Sequence, residues 1–215
     1  IVSYTGTGAN ATVGHGLGVA PKMIICKGRS FSSSAHWLTY HEAMGNTSAL
    51  KLNETSAIGS TQYYWNNTSP TSSTFSLGAS TEANSSSATF IAYCFAEKTG
   101  YSKFGSYTGN GSADGTFIYT GFRPQFLLAK MTSGADDWRM VTENVNTRNQ
   151  RNNEIDKNLY AHANNAETNN NVDFVSNGIK IRNTSGGFNG NGSTYIYYAV
   201  GQSLVGSNNV PCTAR

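Results

Sequence analysis

The chain has 215 residues, a formal net charge of +3 and only 13% charged side chains, while Asn, Ser, Thr and Gly are abundant. This balance is typical of secreted, surface or virion β-proteins and unlike that of a cytosolic helical enzyme. The basic residues are scattered, which argues against a dedicated nucleic-acid surface. No apolar run approaches the roughly 18 to 20 residues that span a membrane.

The chain contains one pattern twice. Residues 2–27 read VSYTGTGANATVGHGLGVAPKMIICK, and residues 105–130 read GSYTGNGSADGTFIYTGFRPQFLLAK. Internal similarity at a fixed offset decides the architecture and therefore comes before any other prediction. Further matches are Trp37 with Trp138, Glu42 with Glu143, and the run 89–96 with the run 194–201. These matches indicate a tandem duplication.

The duplication predicts two homologous domains and a tail. The first repeat covers residues 1–104, the second covers residues 105–203, and residues 204–215 form a C-terminal tail or linker. Apolar segments in both repeats are short, rich in β-branched and aromatic residues, and separated by Gly, Asn, Ser and Thr. The predicted fold class is therefore all-β, with two tandem β-sandwich domains of the jelly-roll type.

Two continuous apolar runs stand out among the predicted strands. Residues 23–26 (MIIC) and residues 126–129 (FLLA) each follow a proline and precede a lysine. Runs of this length predict central strands with both faces covered. The strands that close the repeats, near residues 90–95 and 195–200, are expected to alternate between two apolar faces. One helix is predicted at residues 154–167, although its Asn content gives it weak helical propensity.

Three cysteines give an odd count without a close pair: Cys26, Cys94 and Cys212. The first two lie inside apolar runs, where a free cysteine behaves as a small hydrophobe. The second repeat has alanine in both places, so the fold requires neither thiol. A disulfide between Cys26 and Cys94 stays open as an alternative.

Motifs for catalysis or cofactor binding are absent from the sequence. The two Gly-x-Gly patterns lack the following helix and the Gly-Lys-Ser/Thr of a phosphate loop, so they predict β-turns. The histidines, His15, His36, His41 and His162, do not show metal-ligand spacing. Asp114 and Asp136-Asp137 resemble no calcium loop, and a loop calcium held by Asp and carbonyl oxygens stays open as an alternative. Glu42 and Glu143 occupy the same position in the two repeats. This favours a structural role that each repeat uses once, and it argues against a catalytic pair of carboxylates. We therefore expect no enzyme activity, no cofactor and no metal.

Aromatic residues make up 12% of the chain and are the better indication of a binding role. Trp37 and Trp138 are present in both repeats and are expected in the core. The segment Tyr63-Tyr64-Trp65 has no counterpart in the second repeat, and it fits an exposed contact as well as a loop anchor. His15 falls where the repeats differ, since HGLG in the first replaces IYTG in the second. Tyr63, Tyr64, Trp65 and His15 are accordingly the candidate ligand-binding residues.

The repeated string is specific enough to compare with a known family. GSYTGNGSADGTFIYTGFRPQFLLAK, followed by DFVSNGIKIRNT, GSTYIYYAVGQ and LVGSNNVPCTAR, resembles a domain of uncharacterised function in structural and tail-associated proteins of tailed bacteriophages, especially marine ones. The resemblance is strongest over residues 106–215 and looser in the first repeat. It implies a virion component, and it supplies no catalytic residues to transfer.

The predicted function is that of a non-enzymatic virion structural protein. We expect a tail fibre, spike or capsid-surface appendage that contributes to attachment to the host surface or its glycans. The expected partners are further copies of the chain in a homo-oligomer, other virion proteins and host-surface polysaccharide, without nucleic acid or membrane insertion. One alternative is a carbohydrate-binding module of a longer phage depolymerase, which predicts an exposed Trp65. Another is a bacterial surface or pilus-like subunit whose tail docks onto a neighbour.

Overall fold

The computed structural model describes residues 1–30, 36–60, 63–143 and 154–202. In these segments the chain forms 16 strands, two four-residue α-helices and one 3-10 helix. The prediction of an all-β chain is confirmed. Backbone contacts divide the chain into two compact units, unit 1 at Ile1–Ala96 and unit 2 at Glu97–Arg215.

Unit 1 contains a six-stranded antiparallel sheet and a separate two-stranded pair. The larger sheet has the order β1-β8-β3-β4-β5-β6, and β2 pairs with β7. The elements are β1 (Val2–Thr5), β2 (Ala11–Gly14), β3 (Met23–Gly28), β4 (Leu38–His41), the 3-10 helix Glu42–Met44, β5 (Ser48–Lys51), β6 (Gly59–Ser60), β7 (Thr74–Leu77), α1 (Thr81–Asn84) and β8 (Thr89–Phe95).

Unit 2 is built on a single eight-stranded antiparallel sheet with the order β10-β15-β14-β13-β12-β11-β16-β9. The sheet is nearly closed, because the hydroxyl of Thr116 beside β10 donates to the carbonyl of Thr108 in β9 at 2.7 Å. The elements are β9 (Ser102–Thr108), β10 (Phe117–Tyr119), β11 (Pro124–Met131), β12 (Trp138–Thr142), β13 (Glu154–Tyr160), β14 (Thr168–Val175), β15 (Gly178–Ile181), α2 (Gly186–Asn189) and β16 (Thr194–Gly201).

The two apolar runs form the central strands that the sequence predicts. In unit 1, β3 lies between β4 and β8, and residues 23–26 are all buried. In unit 2, β11 lies between β12 and β16, with Leu127 and Ala129 fully buried. A strand that is paired on both sides and covered on both faces excludes water from its backbone and side chains, which explains the uninterrupted apolar sequence.

The helix predicted at residues 154–167 is wrong. Residues 154–160 form β13, which pairs with β14 and with β12. Ile155 is buried against Val172 in the core, and the side-chain carbonyl of buried Asn158 accepts hydrogen bonds from Asn170 and Thr168. Cross-strand pairing and burial outweigh a marginal helical propensity, so the local pattern was a poor guide here.

The Gly-x-Gly patterns form tight turns, as predicted. Gly8 and Gly111 have φ values of 73° and 65°, in the left-handed region that favours glycine. At Gly6 and Gly109 an added Cβ would lie 2.1 and 2.4 Å from backbone carbonyl oxygens. These glycines are therefore required by close backbone approach, and a phosphate-binding role is not needed to explain them.

Unit 1 holds its first turn in place with one buried asparagine, Asn84, at the end of α1. Its side-chain amide donates to the carbonyls of Ala9 and Gly78 at 2.6 and 2.9 Å. Its side-chain oxygen accepts from the backbone N–H of Thr7 at 2.8 Å. One side chain thus satisfies backbone groups of the turn after β1 and of the segment before α1.

Unit 2 uses Asn189, at the end of α2, in the same manner. The amide of this buried side chain donates to the carbonyls of Ser112 and Asn183 at 2.8 and 2.9 Å, and to the side-chain oxygen of Asn110 at 2.9 Å. Its own oxygen accepts from the backbone N–H of Asn110 at 3.0 Å. A serine caps each short helix, Ser80 in unit 1 and Ser185 in unit 2.

Candidate functional site

His15, a candidate ligand-binding residue, is buried and occupied by the protein. The N–H of Leu17 donates to Nδ1 at 3.2 Å, which makes Nε2 the protonated nitrogen. Nε2 then donates to the carbonyl of Thr71 at 3.1 Å. With both ring nitrogens engaged, His15 fixes the loop after β2, and its role as a ligand-binding residue stays a prediction.

Trp65 is an anchor in the core of unit 1. It is 2% exposed, its indole N–H donates to the carbonyl of Ser48 at 2.9 Å, and its ring packs edge-on against Tyr40. Of the two readings that the sequence left open, the loop anchor applies to this residue. The depolymerase-module alternative predicted an exposed Trp65, and that prediction is wrong.

The two tyrosines before Trp65 differ in position. Tyr64 is half-buried and packs against the core of unit 1, whereas Tyr63 is 58% exposed. The predicted segment therefore does not present three aromatic rings on one surface. Only Tyr63 remains placed for contact with a ligand.

The two tryptophans that the repeats share differ in burial. Trp138 is fully buried, as expected, whereas Trp37 is half-buried. Trp37 stacks on Tyr93, and the ammonium of Lys27 lies 5.8 Å from its ring centroid.

The two glutamates that the repeats share form ion pairs. Glu42 pairs with Lys22, and Glu143 pairs with Arg123. Each of these basic residues is the neighbour of a proline, Pro21 or Pro124, at the start of a central strand. The two carboxylates therefore serve similar structural roles in separate units.

A network of charged side chains lies at one end of the sheet in unit 2. Arg139 contacts Asp136 and Asp137 at 3.1 and 3.3 Å, and Asp137 also contacts Nε2 of His162 at 3.2 Å. The guanidinium carbon lies 5.4 Å from the ring centroid of Tyr160 and 5.9 Å from that of Phe188. The aspartates balance its charge and two rings pack near it, which favours a structural role for this network.

Neither thiol chemistry nor metal binding is supported in the described part of the chain. Cys26 and Cys94 are free, and burial raises the pKa of both thiols, that of Cys26 to about 12. A thiolate at these positions is strongly disfavoured at neutral pH. Among the residues described, no three His, Cys, Asp or Glu side chains are grouped to hold a metal ion. Cys212 lies outside the described residues.

The outward face of β10, β15 and β14 in unit 2 has a different character. We call it the aromatic face, and it consists of Phe117, Tyr119, Asp173, Val175, Lys180 and Arg182. Phe117 and Tyr119 are 45% and 64% exposed, whereas Ile118 between them is buried. Alternation along β10 therefore directs both rings to the same, outer side of the sheet.

The strand register places polar groups beside the rings. Phe117 lies opposite Lys180, which in turn lies opposite Asp173 on the next strand. In the adjacent row Tyr119 lies opposite Gly178, and Gly178 lies opposite Val175. Aromatic, charged and aliphatic side chains thus share one continuous outer surface.

Gly178 determines how the rings lie on this surface. A Cβ at this position would be 2.7 Å from the ring of Phe117 and 2.3 Å from the carbonyl of Ile118. The Phe117 ring therefore occupies the space above the glycine and is held against the sheet. A ring held in this way loses little conformational entropy when it binds a ligand.

The charges on the aromatic face are paired within the protein. Lys180 contacts Asp114 at 2.8 Å, and Arg182 contacts Asp173 at 2.7 Å and Asp114 at 3.7 Å. The hydrogen bond from Lys180 lowers the pKa of Asp114, and the hydrogen bond to Asp173 raises the pKa of Arg182. Two cations and two anions therefore give these four side chains no net charge.

One comparison with known proteins gives a match. A family described as a domain of unknown function, DUF7483, matches residues 1–203. The chain belongs to the DUF7483 family. This match spans both units, so the family domain includes the pair. No curated protein and no solved structure matches the chain.

Within this DUF7483 chain, the pair β2 and β7 of unit 1 offers a different surface. Val13 and Phe75 point into the core, whereas exposed Thr12 lies opposite Ser76 on the other side. Thr12 is exposed whereas Ser76 is buried, and the described residues of these two strands place no aromatic ring on that side. The exposed aromatic pair is a feature of unit 2.

Sequence reasoning missed Phe117 and Tyr119 in the DUF7483 chain, although a signal was present. The run Phe117-Ile118-Tyr119 alternates between two glycine-rich turns, a pattern that predicts a strand with two aromatic residues on one face. Where the first repeat has HGLG with buried His15, the second repeat has IYTG, and its Tyr119 is the exposed aromatic residue.

Proposed function

We propose that the chain is a non-enzymatic structural protein of a tailed-bacteriophage virion, in a tail fibre, spike or capsid-surface appendage, and that it contributes to attachment to host-surface glycan. The virion assignment is supported by the resemblance of residues 106–215 to phage structural and tail-associated proteins. The attachment role is supported by one observation above all, the exposed pair Phe117 and Tyr119 on the aromatic face.

An aromatic pair on a strand suits sugar binding for physical reasons. Flat rings provide a large apolar contact area with few rotatable bonds, and they stack on the apolar faces of pyranose rings. Side chains two residues apart on a strand are separated by about 7 Å, so both rings can contact one saccharide chain. A rigid strand keeps this spacing better than a loop would.

We also propose that the units are homologous β-sandwich domains, one scaffold used twice. The support lies in the matched hydrogen bonds of Asn84 and Asn189, the serine caps of α1 and α2, and the paired Glu42 and Glu143. In this proposal unit 2 acquired the aromatic face, and unit 1 retained a hydroxyl-bearing surface.

Such a shallow face is expected to bind weakly in a single copy. Many copies on one particle, arranged by a symmetric homo-oligomer, would convert weak contacts into durable attachment by raising the effective concentration of sites. The proposed partners are therefore other copies of the chain, further virion proteins and the host polysaccharide.

The attachment role is tested by binding to host cells and to immobilised host polysaccharide. The double variant Phe117→Ala/Tyr119→Ala should lose binding by about tenfold or more, because both stacking rings are removed. Tyr101→Ala is the matched control, since it removes an exposed ring that does not belong to the aromatic face and should leave binding unchanged. Equal binding by the double variant and the original chain would refute the role of the aromatic face.

The virion role needs a separate measurement. Antibodies against the chain should label purified phage particles at the tail or the capsid surface, and mass spectrometry of the particles should detect the chain at many copies. Absence of the chain from purified particles would contradict the virion assignment, whatever the outcome of the glycan experiment.

A further inference from the structure

The charges of the aromatic face indicate which glycans it accepts. We infer that the face binds uncharged polysaccharide and discriminates against acidic polysaccharide such as sulfated or uronic-acid chains. This inference rests on the proposed function and adds the chemical class of the ligand. It is carried by the ion pairs that Lys180 and Arg182 make with Asp114 and Asp173.

Protein carboxylates already compensate both cations of the face. Lys180 lies 2.8 Å from Asp114 and donates a further hydrogen bond to the carbonyl of Gly115. Arg182 lies 2.7 Å from Asp173. An incoming carboxylate or sulfate would meet cations whose charge a protein carboxylate already neutralises, so it gains little Coulomb energy and loses its own hydration.

Carboxylates also lie beside the rings. Asp114 is 82% exposed, and Asp173 lies in the same cross-strand row as Phe117 and Lys180. An anionic chain laid on this face would therefore meet protein carboxylates. Like-charge juxtaposition repels an anionic chain and thereby supplies specificity.

Paired charges can still bind hydroxyl groups. A guanidinium carries five N–H donors, and a carboxylate has about four acceptor positions. Arg182 uses its Nε toward Asp173 and its Nη1 toward Asp114, and Asp114 is 82% exposed. A sugar hydroxyl both donates and accepts, so it fits beside such a pair without disturbing its charge balance.

The decisive experiment measures binding of the whole chain to two sets of polysaccharides. The neutral probes are laminarin, mannan and dextran, and the acidic probes are alginate and chondroitin sulfate. We expect binding to at least one neutral probe, with an affinity nearly independent of salt between about 0.05 and 0.5 M because no counterion-screened attraction contributes. Binding to the acidic probes should be at least about tenfold weaker.

The variant Asp114→Asn tests the same inference by gain of function. It removes one exposed anion and leaves Lys180 and Arg182 with a net positive charge, so alginate should bind several-fold more tightly at low salt and lose that gain at high salt. Glu54→Gln in unit 1 changes the net charge of the chain equally and is the matched control. It should leave alginate binding unchanged.

The outcomes separate this inference from the proposed function. Salt-sensitive binding of alginate by the original chain, reduced by Phe117→Ala/Tyr119→Ala, would overturn the preference for neutral glycan while upholding attachment through the aromatic face. Neutral-glycan binding that the double variant leaves intact, or no polysaccharide binding at all, would overturn both. An equal gain of alginate binding in Asp114→Asn and Glu54→Gln would show that net charge alone acts, and would also overturn the inference.

Discussion

Unit 1 and unit 2 each bury an asparagine that makes similar hydrogen bonds. The two units differ in the exposed side chains of the strands that come after the first turn. Asn84 and Asn189 each end a short helix and bond the backbone of the first turn in their unit. On the outer side of the strands after that turn, unit 1 presents Thr12, whereas unit 2 presents Phe117 and Tyr119. Groups that satisfy buried backbone atoms are hard to replace, whereas exposed side chains are free to vary.

The interiors of the units also differ in their use of charge. Unit 2 places Arg139 at the start of β12, where its guanidinium lies against Gly187 of α2. Unit 1 has fully buried Leu38 at the start of β4, and Glu82 of α1 pairs with Lys51. Unit 1 thus has a buried apolar side chain at the strand position where unit 2 has an arginine.

The largest expected effect is on the core of unit 1. Trp65→Ala should lower the free energy of unfolding of unit 1 by about 4 kcal/mol, since it leaves a large cavity and an unpaired Ser48 carbonyl. Hydrogen exchange measured by mass spectrometry should show the loss of protection in unit 1 and little change in unit 2. Trp37→Ala, at a half-buried position, should cost clearly less. Similar costs for both variants would contradict the placement of Trp65 in the core.

The asparagine positions should respond alike in the two units. Asn84→Ala and Asn189→Ala should each cost about 3 kcal/mol in the unit concerned, because buried carbonyls lose their donors. Asn189→Asp retains the accepting oxygen and should still be destabilising, because the lost donor faces the Ser112 and Asn183 carbonyls. Hydrogen exchange at increasing urea concentration measures the change in the free energy of unfolding of each unit. A large loss of stability in one unit alone would contradict the proposal that Asn84 and Asn189 have the same structural role.

A side chain at Gly187 is expected to destabilise unit 2 mainly because of its contact with Arg139. A Cβ at this position would lie 1.8 Å from Nε of Arg139, so Gly187→Ala should cost about 2 kcal/mol through overpacking. The cost should fall by about half or more in an Arg139→Leu background, which reproduces the leucine of unit 1. A double-mutant cycle on thermal unfolding gives the coupling, and additive costs would disprove the contact.

Lys130 should give unit 2 a distinctive pH dependence. Burial lowers the pKa of Lys130 to about 8, although Asp136 and Asp137 act to raise it. Between pH 8 and the unfolded pKa of about 10.4 the unfolded chain binds more protons, so this lysine makes stability rise with pH in that window. The stability difference between the original chain and Lys130→Met should shift by about 1 to 2 kcal/mol across it. A constant difference would contradict the lowered pKa.

The smallest effect on stability is expected at the aromatic face. Tyr119→Ala should change the free energy of unfolding by less than about 0.5 kcal/mol, because most of its ring is in solvent. Thermal unfolding measures the change, with Tyr63→Ala as the comparison at an exposed ring in unit 1. A large loss of stability would mean that Tyr119 supports the fold, and the case for a binding surface would weaken accordingly.

Much of the fold was predictable because it depends on local patterns. The buried runs at residues 23–26 and 126–129 have the length and composition of central strands, and the Gly-x-Gly turns have the sequence of tight turns. The helix expected at residues 154–167 was not predictable in this way. Its residues have no strong local preference, and pairing with β12 and β14 decides their conformation.

The candidate site was largely beyond the sequence. Trp65 and Tyr63 are two residues apart in one polar segment, yet the first is buried and the second is exposed. Nothing in the local composition distinguishes them, because burial depends on the strands that pack around each ring. Equally, the charge balance of the aromatic face joins Asp114 to Lys180 and Arg182, which are far away in the chain.

By itself the sequence determined the all-β class, the repeated turn-and-strand pattern and the central strands, because alternation, apolar runs and glycine turns act over a few residues. Only the tertiary structure decided which aromatic rings face solvent and which charges are paired. Those properties depend on cross-strand register, and register brings together residues as distant as Phe117 and Lys180.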